Sequence, residues 1–157
     1  MNPKDATSPH IDAYPDADFT GIYSHKSVTD PVCVRSCTGF IIAVSNYPVI
    51  TYSSLQTETS LSTMHAEIYA MAQCCKVLFP IIMMVKELSG AVGLPLDKPL
   101  RMKITLHEDN TGALILAKVI PPEFTPRSKF YALKTIWFRE QIVELEIEVL
   151  KIDTTLQ

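Results

Sequence analysis

A long apolar helical pattern, from about Ser62 to Leu88, constrains the fold of this chain more than any other stretch of its sequence. Its apolar residues recur three and four positions apart, the spacing of one buried helical face, and they are Ile68, Met71, Ala72, Cys75, Leu78, Phe79 and Ile82. A short hydroxyl at Ser62 or Thr63 is the expected N-cap, and Pro80 is expected to kink the helix or split it. The rest of the domain is expected to be organised around this helix.

One carboxylate, Glu67, lies in the second turn of the predicted helix, beside its apolar face. An ionised carboxylate without a partner would be costly there, which favours a functional interpretation. The alternative is a solvated acid that stabilises the helix N-terminus. The helix alone leaves both interpretations open.

The composition fits one globular domain, because 157 residues of which 47% are hydrophobic can form a substantial core. A net charge of −3 excludes a uniformly basic nucleic-acid binder and leaves room for a local basic groove. Residues 1–9 are polar and lack the apolar core of a signal peptide. They are therefore predicted to be a lead-in or linker before a single domain at residues 10–157.

Neither a membrane span nor a disulfide framework is expected. The most apolar window, Ala70–Val85, is short and is interrupted by Gln73, Lys76 and Pro80. The cysteines match neither a disulfide framework nor a two-pair zinc pattern; they are Cys33, Cys37, Cys74 and Cys75. The expectation is an intracellular protein, cytoplasmic or nuclear, with reduced thiols and no membrane association.

Strand and helix patterns follow one another along the chain. Strands are predicted at residues 10–14, 39–44, 49–53, 102–107 and 146–152, and helices at 62–88, 111–119 and 127–145. Residues 45–48 indicate a hairpin turn, and Pro15 and the following aspartates are expected to end the first strand. This order predicts an α/β domain with a mixed sheet of about five strands flanked by helices. The first and fourth strands are expected to be parallel neighbours joined by the long helix.

Two acidic residues lie where those neighbouring strands end. Asp16 follows the first strand, Asp109 follows the fourth, and Glu67 begins the helix between them. Sites in such sheets form outside the carboxyl ends of the strands. Three convergent carboxylates without a base or a cysteine nucleophile suit Mg²⁺ or Mn²⁺, and they fit two-metal hydrolysis of a phosphodiester.

Several neighbouring residues compete for these roles. Asp12 and Asp18 are alternatives to Asp16, and Asp109 could be an ordinary helix cap. His107 is interpreted as a strand residue and His65 as an exposed residue of the first helical turn. If the three carboxylates lay far apart, roles in helix capping alone would be favoured.

These residues resemble the ribonuclease H domain of copia-type LTR retrotransposon polyproteins. The resemblance covers nearly the whole chain from about residue 11, and it rests on motifs in the family's order at Tyr14–Phe19, Arg35–Phe40, Leu61–Ala70, Glu108–Ala113 and Pro126–Lys129. The final stretch, Val149–Gln157, looks like the start of the family's last motif.

The resemblance implies a ribonuclease H-like fold and hydrolysis of the RNA strand of RNA/DNA hybrids with two Mg²⁺ or Mn²⁺ ions. It implies that Asp16, Glu67 and Asp109 are catalytic and bind the metal ions. Its further implications are an RNA/DNA hybrid as partner and a reverse transcriptase domain in a parent polyprotein.

The sequence departs from the family's pattern in three places. His65 stands where the family usually has Glu, and Ala132 stands where it usually has Asp or His. The family continues beyond Gln157 with a short helix that carries a fourth metal-binding aspartate. The expectation is therefore a domain truncated at its C-terminus that lacks this helix.

Residues 118–139 carry an excess of positive charge against a single acid, Glu123; the cations are Lys118, Arg127, Lys129, Lys134 and Arg139. This segment is predicted to hold the phosphate backbone of a hybrid, and the alternative is a solvated helix face. The rival to the enzyme is a decayed or captured module that keeps the fold and binds nucleic acid or protein without catalysis.

Overall fold

The structure is a computed structural model that describes residues 10–21, 23, 29–91, 102–118 and 132–153. Its strands are β1 (His10–Asp18), β2 (Cys37–Val44), β3 (Tyr47–Leu55), β4 (Lys103–Glu108) and β5 (Glu148–Lys151). Its helices are α1 (Thr63–Ala91), α2 (Thr111–Lys118) and α3 (Ala132–Glu144), with a short 3-10 helix at Pro31–Val34. This order of elements confirms the prediction.

The strands form one mixed sheet in the order β3-β2-β1-β4-β5. β1 pairs antiparallel with β2, and β2 pairs antiparallel with β3. β1 pairs parallel with β4, and β4 pairs parallel with β5. The predicted parallel pair is therefore confirmed, since β1 and β4 are neighbours and α1 lies in the connection between them.

The β2–β3 hairpin turns through Ser45 and Asn46, whose φ angles are 49° and 69°. Two successive residues with positive φ give the turn a twist that matches that of the flanking strands. Asn46 accepts a hydrogen bond from His10 Nε2 at 3.1 Å when that nitrogen carries the proton, which ties the turn to the start of β1. The predicted hairpin is confirmed.

The core lies between α1 and the sheet. The buried face of α1 includes Ile68, Met71 and Leu78, as the sequence pattern predicts, and Phe138 of α3 belongs to the same apolar cluster. α1 is continuous through Pro80, whose side chain is exposed, so of the two expected outcomes, a kink or a split, the split does not occur. A proline on the outer side of a helix, where packing on the opposite side holds both halves, removes one backbone bond without ending the helix.

α1 is also long and apolar enough, by length and composition, to cross a membrane over Thr63–Leu88. However, 61% of its most apolar window is buried inside the fold. A helix that is apolar on most sides is expected at the centre of a core, where neighbours cover it.

β1 continues through Pro15 to Asp18, so the expectation that Pro15 ends the strand is wrong. β4 pairs with β1 over His10–Ala13, and beyond Ala13 the strand pairs with β2 alone. Pro15 therefore lies in a part of the strand that is paired on one side, where a missing backbone N–H is tolerated. Asp16 is consequently held by the sheet and not by a loop.

Three further predictions concern the cysteines, the lead-in with two of the cations, and the third helix. All four cysteines are free thiols, in agreement with the sequence. The lead-in at residues 1–9 and the cations Arg127 and Lys129 lie outside the described residues. The predicted third helix, 127–145, is described from Ala132 onward.

Candidate metal centre

Three carboxylates from three different elements meet at one end of the β1–β4 pair. Asp16 comes from β1, Glu67 from α1, and Asp109 directly follows β4. One oxygen of each can be chosen so that all three atoms lie within 4.8 Å of one another. The alternative in which these residues only cap helices required them to be far apart, and their proximity removes its support.

Asp16 is the member of its motif that joins the cluster. Its neighbours are engaged elsewhere: Asp12 Oδ1 lies 2.9 Å from His107 Nε2, and the Asp18 carboxylate fills the space beside Gly21 that a side chain there would need. Asp16 lies beyond the part of β1 that pairs with β4, and one of its carboxylate oxygens lies within 4.8 Å of an oxygen of Glu67 and of Asp109. The structure thus places Asp16 in the cluster, and its role as a ligand stays a prediction.

The first turn of α1 fixes the position of Glu67. Ser62 is the N-cap, since its Oγ accepts a hydrogen bond from the His65 backbone N–H at 3.1 Å. His65 Nδ1 in turn accepts from the Leu61 N–H at 3.4 Å, a contact that resembles the returning bond of a capping box. His65 is half-buried and not exposed as predicted, and burial is the first cause of its lowered pKa.

Small residues let α1 approach β1 beside the site. Ala17 on β1 packs against Ala66 and Ala70 on α1, and all three are buried. Ala17 follows Asp16 and Ala66 precedes Glu67, so this contact brings the two acidic residues together. Larger side chains at these positions would separate the helix from the strand.

The site is electrostatically strained when no cation is bound. Burial raises the pKa of Glu67 to about 9, and repulsion from Glu108, Asp16 and Asp109 adds to this effect. Burial and then repulsion from Asp109 also raise the pKa of Asp16. A backbone hydrogen bond from Ala17 acts in the opposite direction on both groups. Groups held apart from water and close to like charges are typical of functional sites.

A fourth carboxyl group, Glu108, was missed by the sequence reasoning. Its side chain is fully buried, its Oε1 accepts from the Asn110 N–H at 3.1 Å, and burial raises its pKa to about 8. The alternation of β4 contained the signal, because Ile104, Leu106 and Glu108 fall on the same side of the strand. A carboxylate at a core position next to Asp109 was therefore visible in the pattern.

Asp109 is not the cap of α2. That role belongs to Asn110, whose Oδ1 accepts from the Ala113 N–H at 3.0 Å. Asp109 therefore lies between the end of β4 and the start of α2 without capping the helix. His107, predicted to be a strand residue, lies in β4 and stacks on Tyr14 with ring centroids 4.4 Å apart.

The donor set fits a divalent metal ion. The clustered atoms are all carboxylate oxygens, the ligands that Mg²⁺ and Mn²⁺ prefer. Among the described residues, Glu67 Oε2 and Glu108 Oε2 are buried without a hydrogen-bond partner. A cation at this position would offset both the repulsion and the missing partners. Asp16, Glu67 and Asp109 are the residues that could hold it.

The predicted phosphate-binding residues differ in their exposure and in their partners. Lys118 is exposed at the end of α2. Lys134 lies 2.6 Å from Glu58 and 4.7 Å from the centre of the Tyr69 ring. Arg139 is buried, with 9% of its surface exposed, so it does not lie on a solvated basic face. The role of these residues in binding nucleic acid stays a prediction, and Arg127 and Lys129 lie outside the described residues.

No protein-family model matches this sequence, and no curated protein matches it. Solved structures do match. The structure of LC11-RNase H1, isolated from compost by a metagenomic approach, is 13% identical with a TM-score of 0.57, covering 93% of this chain and 86% of that one. LC11-RNase H1 in complex with an RNA/DNA hybrid is 13% identical with a TM-score of 0.58, covering 92% and 86%. The chain therefore has a ribonuclease H-like fold, as the sequence predicted.

Proposed function

We propose that this chain hydrolyses the RNA strand of RNA/DNA hybrids and that it derives from a copia-type retroelement. The observation that carries the activity is the cluster of Asp16, Glu67 and Asp109 within 4.8 Å on this fold. A structural neighbour, LC11-RNase H1, was solved with an RNA/DNA hybrid, which supports the same substrate class here. The retroelement origin rests on the sequence motifs, as does a reverse transcriptase domain as partner in a parent polyprotein.

In this proposal the three carboxylates hold divalent ions, two Mg²⁺ or Mn²⁺. Bound ions of this kind activate a water molecule and stabilise the leaving oxygen of a phosphodiester. Asp16, which is exposed, and Asp109, which is partly exposed, form the side of the cluster that substrate can reach. Glu67, which is buried, anchors the cluster to the core.

Among the described residues, two buried cysteines and His107 are candidates for other chemistry, and each is engaged elsewhere. The described cysteines Cys74 and Cys75 are buried in the core, and burial raises their thiol pKa values, so they are not nucleophiles. His107 is hydrogen-bonded to Asp12 and stacked on Tyr14. Water is the nucleophile of the proposed reaction.

Recognition of the hybrid would depend on shape and charge. An A-form-like duplex is recognised through its backbone and 2′-hydroxyls and not through its sequence. Lys118 and Lys134 are the described candidates for phosphate contacts.

A non-catalytic module is the second candidate, and a specific observation favours it. Arg139 is buried, and Lys134 is paired with Glu58 and would have to exchange that partner to meet a phosphate. A retained fold with a weak nucleic-acid surface is what a decayed or captured domain would show. The departure at Ala132 from the family's pattern points the same way.

A cleavage assay separates the two candidates. The purified chain is incubated with an RNA/DNA hybrid labelled on the RNA strand, with Mg²⁺ or Mn²⁺, beside matched RNA/RNA and DNA/DNA duplexes. We expect internal cleavage of the RNA in the hybrid alone, and loss of that cleavage in Asp16→Asn and Asp109→Asn. Binding of the hybrid by wild-type protein without any cleavage would establish the non-catalytic module.

A further inference from the structure

A single buried amide, Gln56, connects α1, which carries Glu67, with β2, the strand that pairs with the one carrying Asp16. It directly follows β3 and is 1% exposed. Its Nε2 donates to Thr38 Oγ1 and to the Ala66 carbonyl oxygen, both at 3.0 Å. Its Oε1 accepts from Ser60 Oγ at 2.7 Å. A backbone bond of 2.9 Å to the Ser36 carbonyl holds its main chain as well.

The chemistry of these partners requires an amide with this orientation. The Ala66 carbonyl can only accept, so the atom that faces it must be a nitrogen that donates. The Ser60 hydroxyl then donates to the amide oxygen on the other side. Both amide hydrogens and the amide oxygen are satisfied in a site that excludes water, where a lost bond leaves a costly unpaired group. Glutamate at this position would place an oxygen against the Ala66 carbonyl.

The two donor bonds of Gln56 end beside two of the acidic residues. Ala66 directly precedes Glu67 on α1, so one bond fixes the helical turn that carries this carboxylate. Thr38 on β2 is the register partner of Ala17 on β1, and Ala17 directly follows Asp16. Ala17 also packs on Ala66, so β1 is joined to α1 by this contact and to β2 by strand pairing.

We propose that Gln56 is a positioning residue that sets the spacing between Glu67 and Asp16 and thereby tunes the affinity of the cluster for divalent metal ions. This inference rests on the proposed metal site. Gln56 touches neither metal nor substrate in this account. It acts through Ala66 and Thr38, in the way that hydrogen-bonded neighbours of metal ligands tune many metal sites.

The test is Mn²⁺ binding to the whole chain, measured directly from the free Mn²⁺ signal in electron paramagnetic resonance. Gln56→Met keeps the volume of the side chain and removes its hydrogen bonds. We expect about a tenfold weaker Mn²⁺ affinity, the lower end of the range for such neighbours. Ser60→Ala removes one bond of the same amide with less risk to folding, and we expect a smaller weakening in the same direction.

The matched control is Ile82→Val, which loosens the core of α1 about four turns away from Glu67. It should lower the melting temperature and leave Mn²⁺ affinity unchanged, which separates positioning from general stability. Wild-type affinity in both Gln56→Met and Ser60→Ala would overturn the proposal, as would wild-type protein that binds no Mn²⁺. Wild-type protein that binds Mn²⁺ without cleaving hybrid would remove the proposed activity and leave the role of Gln56 standing.

Discussion

The carboxyl groups of Glu67 and Glu108 come from a helix and a strand and repel each other inside the fold. Repulsion from Glu108 is the largest electrostatic contribution, after burial, to the raised pKa of Glu67. Each group keeps one buried oxygen without a hydrogen-bond partner in the described part of the chain. Two acids in this arrangement destabilise the fold when ionised, and a cation or a proton relieves the repulsion.

The first prediction is that the metal-free protein loses stability as the pH rises. The folded-state pKa values, about 9 for Glu67 and about 8 for Glu108, lie above the value of 4.5 expected for an unfolded glutamate. The folded chain therefore binds more protons than the unfolded chain, and the free energy of unfolding falls with rising pH between these values. Below about pH 4.5 both states are protonated and this contribution is fully present. Urea midpoints in EDTA at pH 5, 7 and 9 measure the effect.

Glu67→Gln tests the source of that dependence, because it replaces the acid with a neutral group of the same size. At pH 9 this variant should be more stable than wild type by roughly 1–3 kcal/mol, the cost of a buried unsatisfied group. Glu140→Gln, a change at an exposed acid of α3, is the control and should behave as wild type. Parallel pH profiles for wild type and Glu67→Gln would contradict the assignment.

The second prediction concerns thermal stabilisation by Mg²⁺. An ion that binds only the folded state stabilises it by about 2.7 kcal/mol at a hundredfold excess over its dissociation constant. Wild-type protein should show a rise in Tm, while Glu67→Gln and Asp109→Asn should show much less of it. The rise in Tm should be larger at pH 8 than at pH 6, because the metal competes with protons for the same oxygens. An equal rise in all three proteins would indicate a non-specific salt effect.

The order of elements, the β2–β3 hairpin and the parallel β1–β4 pair followed from periodicity and turn chemistry, and local propensities misled where tertiary contacts compensate for them. Pro15 was expected to end β1. The pairing of β1 with β4 stops at Ala13, so the strand tolerates the proline. Pro80 was expected to kink or split α1, and packing along the opposite face keeps the helix continuous. The neighbours of the proline decide in both cases: strand pairing at Pro15 and helix packing at Pro80. A single sequence does not show these neighbours.

The part of the candidate site that lies in recognisable motifs could be predicted from the sequence. Asp16, Glu67 and Asp109 were named from strand ends, a helix start and family resemblance, and the structure brings them together. Glu108 was not predicted, because the strand end and the motif both indicate the next residue, Asp109. Arg139 was grouped with surface cations from its charge alone, whereas helical periodicity between Phe138 and Ile142 places it close to the core.

The third prediction concerns the β2–β3 turn. Ser45 has a φ of 49°, a left-handed conformation that costs a serine more than it costs an asparagine. Ser45→Asn should therefore raise the free energy of unfolding by about 0.5–1 kcal/mol. Asn46→Ala is the opposite case, since it removes the partner of His10 and a residue suited to positive φ, and it should destabilise. Urea denaturation with an unchanged m-value checks both, and a loss of stability in Ser45→Asn would refute this view of the turn.

The last prediction tests whether Lys134 meets phosphate. Its ammonium group is held 2.6 Å from Glu58, in a pair whose side chains are 30% and 58% exposed, so water and a phosphate can reach it. Exposed ion pairs contribute little stability, which makes an exchange of Glu58 for a phosphate inexpensive. Lys134→Ala should weaken hybrid binding and reduce the salt slope by about one unit, the effect of one lost phosphate contact.

Glu58→Gln should have the opposite effect on affinity, because it removes the acid that competes with phosphate for Lys134. Lys103→Ala is the matched control: Lys103 is an exposed lysine that also pairs with a glutamate, Glu148, at 3.3 Å. It lies at the start of β4, whereas Asp109 follows the end of that strand, so its loss should leave the salt slope unchanged. Fluorescence anisotropy with a labelled hybrid across a range of salt concentrations measures all four proteins. If Lys134→Ala and Lys103→Ala give the wild-type slope alike, Lys134 serves only its pair with Glu58, and the hybrid must be held elsewhere.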